Sequence, residues 1–387
     1  MTVIVRRVAR VVAIFACLQL GCDSPVAPDP APGITSLTAG GSHTCVATDS
    51  GAAWCWGRGT EGQLGNHSTL SANSPVRVAG EGNYVQLDGG RRHTCGVTRD
   101  GELHCWGWGH YGQLGTGSTT TVSGATTVAT SDRYSSVSAG GFHTCAITLS
   151  AAVHCWGDNS QGQLGDSTFN SSYEPAPAMS AETFAAVSAG MSHTCALTSD
   201  ARAFCWGLNH LGQLGTGTLV GAVVPTPVET TLRFRSISAG VGHTCAITTD
   251  GESWCWGSNE YGEIGNGDRV ERGLSGTPWP DPTILGYRFQ SVSTGDSFTC
   301  AVMPEGRGRC WGRGLEGQLG NAQPIIMPVP LPTFDGVPIA VIATGYAHAC
   351  AVGSDQIHCW GDGSSGQTGG PSVNTSLVPR RVTIPRE

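Results

Sequence analysis

The sequence predicts an all-β fold, a seven-bladed β-propeller of four-stranded antiparallel blades, and three observations carry that reading. A unit recurs seven times, its first Cys falling at 45, 95, 145, 195, 245, 300 and 350. The steps are 50 residues except one of 55, across residues 266–289. Gly-Cys-Trp punctuation keeps register, with Trp-Gly pairs beginning at Trp56, Trp106, Trp156, Trp206, Trp256, Trp311 and Trp360. Within a unit, short β-type runs lie between glycine turns, as at 136–139, 144–148 and 153–156, and nothing has the length and period of an amphipathic helix. A further run such as 76–78 supplies a fourth strand. One such blade cannot bury both its faces, so seven must pack side by side in a ring.

The elements follow in chain order. Arg6, Arg7 and Arg10 precede an apolar run at 11–20, and Gly21-Cys22 follows it. This reads as a signal peptide over residues 1–21. The run is too short to span a bilayer unaided. Leu18-Gln19-Leu20-Gly21-Cys22 is similar to a bacterial lipoprotein signal, which makes Cys22 the expected lipidation site, although Gln19 stands where such signals prefer Leu. Cys17 is a second candidate, and simple secretion is the alternative. Residues 22–33 are a Pro/Ala-rich tether, and 34–387 form the propeller. The expected location is the cell envelope, anchored by lipid on the periplasmic or outer side, or the medium. Residues 378–384 match 75–78, the run before a new unit's first strand. Residues 34–38 are a first strand with no earlier partner. The two are expected to share one blade and clasp the ring shut.

Fourteen cysteines fall into seven pairs, one per unit. Cys45 goes with Cys55, Cys95 with Cys105, Cys145 with Cys155 and Cys195 with Cys205. Cys245 goes with Cys255, Cys300 with Cys310 and Cys350 with Cys359. A three-residue turn, Arg99-Asp100-Gly101 with Gly101 left-handed, sets Thr98 opposite Glu102 and hence Cys95 opposite Cys105. Pro304-Glu305-Gly306 fits the same turn. In the last unit the turn shortens to Ser354-Asp355 and the Cys spacing shortens with it, as a cross-strand disulfide requires. Ala151 and Ala201 at the left-handed position leave the turns of units three and four open. Spacing of CxxC type, which zinc would need, is absent.

The units AGxxHTCAIT and CWGxNxxGQLGxG resemble the regulator of chromosome condensation repeat family over nearly all of the chain after the tether. The resemblance implies a seven-bladed propeller but no single function, since the family spans an exchange factor for a small GTPase, a plant ultraviolet-B photoreceptor and a secreted β-lactamase inhibitor. The photoreceptor uses Trp in its GWRHT motifs. The matching slots here hold Gly41-Ser42, Arg91-Arg92, Gly141-Phe142 and Met191-Ser192. The exchange factor works inside the cell and carries an added β-wedge. The secreted inhibitor is the nearest analogy in compartment.

His43, His93, His143, His193, His243 and His348 share one position, filled by Phe298 in unit six. Beside a glycine turn in almost every blade, they read as satisfying local polar groups and not as a metal ring. The recurring Trp reads as packing between blades. Catalysis would need residues that break the symmetry. Asp88, Asp296, Glu263 and the Arg91–Arg92 pair do so, but they are scattered, show no nucleophile–base pattern and read as surface departures. Net charge is −8 and all 21 basic residues are Arg, which argues against nucleic acid as a partner.

The residues between WG and GQLG differ from blade to blade and supply the candidate binding set: Trp108, His110, Tyr111, Leu208, His210, Leu211, Glu260, Tyr261, Arg313 and Leu315. The sequence thus points to a non-enzymatic, exported propeller without cofactor, catalytic or metal site. It is expected to bind a protein or cell-envelope glycan, in an inhibitor-like way or as a scaffold, and to meet the membrane through its N-terminal lipid only. A hydrolase or lyase built on the symmetry-breaking residues is the alternative; an exchange-factor-like regulator is the weaker one.

Overall fold

The computed structural model describes residues 33–80, 82–270, 277–283, 286–333, 338–353, 356–370 and 374–385. The signal, Cys17, Cys22, the tether as far as residue 32 and the turn at 354–355 lie outside them. Blade one runs β1 (Ile34–Ala39), β2 (His43–Thr48), β3 (Ala53–Gly57) and β4 (Ala72–Arg77), paired in that order and antiparallel. Six further sheets of the same order complete the ring among the described residues, so the fold is an all-β seven-bladed propeller. No helix among them is long and apolar enough to cross a membrane.

Burial follows position in the blade. β2 is buried on both faces because neighbouring blades cover it, so its run HTCVAT does not alternate. β4 lies at the outer edge, half-exposed, and its counterparts Ser172–Pro177 and Ala222–Pro227 hold prolines that only an edge strand tolerates.

A disulfide joins the second and third strands of each blade at the register the spacing demands. The bonds are Cys45–Cys55, Cys95–Cys105, Cys145–Cys155 and Cys195–Cys205 in blades one to four. Cys245–Cys255, Cys300–Cys310 and Cys350–Cys359 follow in blades five to seven. All seven expected pairs therefore form, the shortened Cys350–Cys359 among them. Their Cα atoms are 4.1 Å apart in every pair. That close approach belongs to the non-hydrogen-bonded positions of an antiparallel pair. Gly101 is left-handed (φ +77°), and Thr98 N–H donates to Glu102 O at 2.9 Å. Ala151 and Ala201 adopt the same conformation (φ +65° and +68°) and close the same turn, so units three and four do not depart from the others. In blade seven Gly353 pairs with Gln356, which leaves two residues for the turn.

Three of the repeated motifs meet at the blade interfaces. His43 of blade one lies with Nε2 2.8 Å from Thr94 Oγ1 of blade two. Thr94 donates in turn to Gln63 O of blade one at 2.9 Å, and Trp106 Nε1–H donates to the same carbonyl at 2.9 Å. Because the threonine hydroxyl gives its proton to the carbonyl, it accepts from His Nε2–H, which sets the imidazole tautomer. GxxHT, WG and GQLG are thus parts of one hydrogen-bonded node. Gly65 closes it: a Cβ there would meet Trp106 Nε1 at 2.7 Å. The node recurs at His93–Thr144, His143–Thr194, His193–Thr244 and His243–Thr299. Between blades six and seven both partners are apolar, Phe298 and Ala349, buried in one cluster.

The expected clasp does not form. Residues 34–39 belong to blade one, whereas the C-terminal strand Ser376–Val382 is the outer strand of blade seven. The match between 378–384 and 75–78 was that of two fourth strands; each unit holds a whole blade, so neither end lacks a partner. The ring closes instead by packing of blade seven on blade one. Val46, Trp56, Val352 and Val382 share a core there. His348 meets Thr44 at 2.9 Å, and Trp56 donates to Gln367 O at 2.9 Å, which repeats the node.

Candidate functional site

The chain path brings two sets of loops to one end of the ring. The loop between first and second strands of each blade lies at the channel mouth, and the WG-to-GQLG loop surrounds it. They are joined by a repeated backbone bond: Arg58 N–H donates to Ser42 O, Trp108 to Arg92 O, Leu208 to Ser192 O and Arg313 to Ser297 O, at 2.8–2.9 Å. Outer candidate residues therefore sit directly beside the inner loops.

In blades two and three this creates one aromatic cluster. Trp108 lies 5.1 Å from Phe142 and 5.5 Å from Tyr111, measured between ring centroids, and His110 stacks on Trp108 at 5.1 Å. Tyr111 and Phe142 are 5.2 Å apart. The Arg92 guanidinium lies over Trp108 at 5.4 Å and 3.8 Å from Glu61. Arg91 lies over Phe142 at 5.0 Å and over Tyr346 of blade seven at 5.7 Å. Tyr346 Oη–H in turn donates to Met191 Sδ of blade four at 2.9 Å. Arg91, Met191 and Tyr346, from blades two, four and seven, thus line the mouth of the central channel, a cavity of about 250 Å³.

Other sequence candidates form separate groups. Arg313 lies 5.9 Å from the Tyr261 ring and is paired with Glu316. Leu315 is 48 % and Tyr111 41 % exposed. Glu260 and His210 are exposed, and Leu208 and Leu211 half-buried in blade four. No ring contact among the described residues links these groups to Trp108. Sequence reasoning missed Phe142, Met191 and Tyr346 as site residues, although they occupy the same variable slots as Arg91 and Arg92.

Two of the symmetry-breaking acids, Asp88 and Glu263, prove to be structural parts and not surface departures. Asp88 lines the channel and accepts hydrogen bonds from Thr38 Oγ1 (2.9 Å), Gly89 N (3.0 Å) and Ala139 N (3.0 Å). Ser138 does the same work one blade on, accepting from Ala189 N at 3.0 Å. Burial pushes the Asp88 carboxyl upward. Glu263 fills a slot that is Gln in the other blades, is 1 % exposed, and accepts Tyr261 N–H at 2.9 Å and the Ser258 hydroxyl at 3.1 Å. Burial pushes it to about 7. Burial also raises Asp296, against the pull of Arg313. The six node histidines are pushed down by burial, to about 3, or about 4 for His348. Their Nδ1 atoms are buried with no hydrogen-bond partner, so a proton added there would be left without an acceptor. The described residues contain no group of three or more His, Cys, Asp or Glu placed to hold a metal.

Comparison with known proteins agrees with this architecture. The family model described as RCC1-like domain matches residues 19–280, and that of the regulator of chromosome condensation (RCC1) repeat matches 310–352. The chain is 36 % identical to the ultraviolet-B receptor UVR8 of Arabidopsis thaliana over 110 residues, 28 % of this chain and 25 % of the receptor. It is 35 % identical over 95 residues to the mitochondrial RCC1 domain-containing protein RUG3 of the same plant, 24 % of this chain and 21 % of that protein. The aligned segments thus span about a quarter or less of these relatives. In structure it is similar to Prp20p of Saccharomyces cerevisiae, described with its binding to Gsp1p and histones (TM-score 0.76, 20 % identity, 93 % of this chain, 88 % of that one). Human WBSCR16 is comparable (TM-score 0.74, 20 % identity, 83 % and 86 %). At such identities the likeness is one of fold.

Proposed function

The chain belongs to the RCC1-like domain family, and we propose that it is an exported binding module, lipid-anchored through Cys22, that holds another protein against the face carrying the inner and WG loops. The observation that carries this reading is the contiguous aromatic–arginine patch of Arg91, Arg92, Trp108, Tyr111 and Phe142, because Trp, Tyr and Arg dominate the energetics of protein interfaces. Disulfides in seven blades belong to an oxidising compartment, which supports export. The structural relative Prp20p is itself a protein binder by its description. Disulfide-stapled hairpins on a closed ring hold the loops in place before a partner arrives, which lowers the ordering cost of association. A hydrolase or lyase reading would draw on Asp88, Glu263 and Asp296, but these stand in different blades, and Asp88 and Glu263 are each engaged by their own donors.

The test is comparative capture from envelope and medium extracts. A protein retained by the unmodified chain should be retained at least about tenfold more weakly by Trp108→Ala and by Phe142→Ala, with unchanged thermal midpoints. Equal retention by all three, or retention of a glycan alone, would sink the reading.

A further inference from the structure

We infer that Arg91 is a receptor for a carboxylate side chain, so that the partner is a protein loop presenting Asp or Glu beside an aliphatic residue. This rests on the binding face proposed above and names the chemistry of what it takes.

Four arginines lie on the inner and WG loops of this face, and Arg91 lines the channel itself. Arg58 is paired with Glu61 at 2.8 Å, Arg92 shares that carboxylate at 3.8 Å, and Arg313 is paired with Glu316. Arg91 is the one of the four whose side chain has neither an ion pair nor a hydrogen bond among the described residues, its backbone N–H alone donating to Gly140 O at 3.1 Å. What it does have is two aromatic rings, Phe142 at 5.0 Å and Tyr346 at 5.7 Å. Tyr346 is in turn fastened to Met191. The cation is therefore positioned by contacts that use none of its N–H groups. A planar guanidinium so placed, half-buried and with its donors unspent, matches a carboxylate bidentately. Asp296 feels the charge of Arg91, but no ion pair joins the two. It leaves the donors free.

The surroundings define the rest of the loop. Trp108, Tyr111 and Phe142 stand as an apolar wall beside Arg91, and Tyr111 is 41 % exposed. An aliphatic neighbour of the incoming acid would pack there while the acid crosses to the mouth. Phosphate would meet the same guanidinium but would leave that wall unused.

The experiment is selection of a displayed library of disulfide-constrained seven-residue loops on the intact chain. The expected result is enrichment of loops with Asp or Glu at one fixed place next to Leu, Ile or Val. A representative synthetic loop should bind at least about tenfold more weakly when its acid becomes the amide. It should weaken similarly on Arg91→Met and less on Arg91→Lys, with thermal midpoints unchanged. The loop-side substitution needs no protein variant, so misfolding of Arg91→Met leaves the test intact. Loops that lose binding on Trp108→Ala yet bind Arg91→Met as well as the parent overturn the carboxylate assignment while the face survives. Loops indifferent to both substitutions overturn the two together. Retention on immobilised polyuronate that Arg91→Met abolishes, with no acidic loop selected, overturns the protein assignment in favour of an acidic glycan.

Discussion

At the scale of single residues, the repeated histidine is a donor in a buried relay, and its exception is the most informative copy. Phe298 stands where His is expected, and Ala349 stands where its threonine partner would be in the next blade. Replacing both members of a buried pair avoids the penalty of stranding one, whereas replacing one leaves a polar group unpaired at a cost of about 1–3 kcal/mol. Thr299→Ala alone should therefore destabilise by about that amount, since it strands His243 Nε2–H and removes the donor to Glu263 O. Adding His243→Phe should recover most of the loss, as blades six and seven already do. Denaturant unfolding of the two single variants and the double decides it, and a double variant as unstable as the sum of its singles would sink the account. The structural role of the histidines was legible because they sat beside a glycine turn in nearly every unit. Their partners were not, because Thr94 lies 51 residues from His43 and meets it only when two blades pack.

At the scale of the element, the hairpin was legible in detail because loop length and Cys spacing change together, and a slip of one residue would turn each Cys to the other face. What sequence left open was Ala at the left-handed position. Local chemistry disfavours it by about 1–2 kcal/mol, yet Ala151 N–H still donates to Thr148 O and Thr148 N–H to Ala152 O, both at 2.9 Å. The paired strands and the Cys145–Cys155 bond override the preference of one residue. Ala151→Gly should then stabilise the chain by about 0.5–1 kcal/mol, the gain in conformation exceeding the added entropy of the unfolded chain. Gly101→Ala should cost a similar amount. Calorimetry on the two variants reads the opposite signs directly; a fall in midpoint for Ala151→Gly would mean that the turn is not strained. The same scale explains why only part of the binding face was read. The WG loops advertise themselves by variation between fixed motifs, but Phe142 joins Trp108 from another blade, and Tyr346 reaches Arg91 across the channel mouth.

For the molecule as a whole, closure and acid sensitivity come from the same interface. Every blade is complete, so the ring holds through seven face-to-face contacts and not through a shared strand. Six of those contacts contain a neutral imidazole bonded to the next blade. Each folded histidine has its pKa lowered to about 3 or 4 from 6.5. The unfolded chain therefore binds protons that the folded chain refuses, and stability is fully present above pH 6.5 and lost as pH falls toward the folded values. The six histidines alone, protonated on unfolding near pH 5, would contribute a slope of about 8 kcal/mol per pH unit, which the raised acids partly offset. Glu263 works in the other sense. Its folded pKa is raised to about 7, so its contribution is present at low pH and lost as pH rises through that value, and Asp88 and Asp296, also raised by burial, act in the same sense. The chain should thus lose little stability between pH 8 and 7 and then lose it steeply below 6.5, although disulfides still close its hairpins. Unfolding measured across pH 8 to 4 should show this curvature, and proton uptake on unfolding near pH 5 should fall by about one in the His243→Phe/Thr299→Ala variant. A flat profile between 6.5 and 4 would show that the ring of imidazoles is accessible to protons in the folded state, and the relay would have to be abandoned as the basis of the ring.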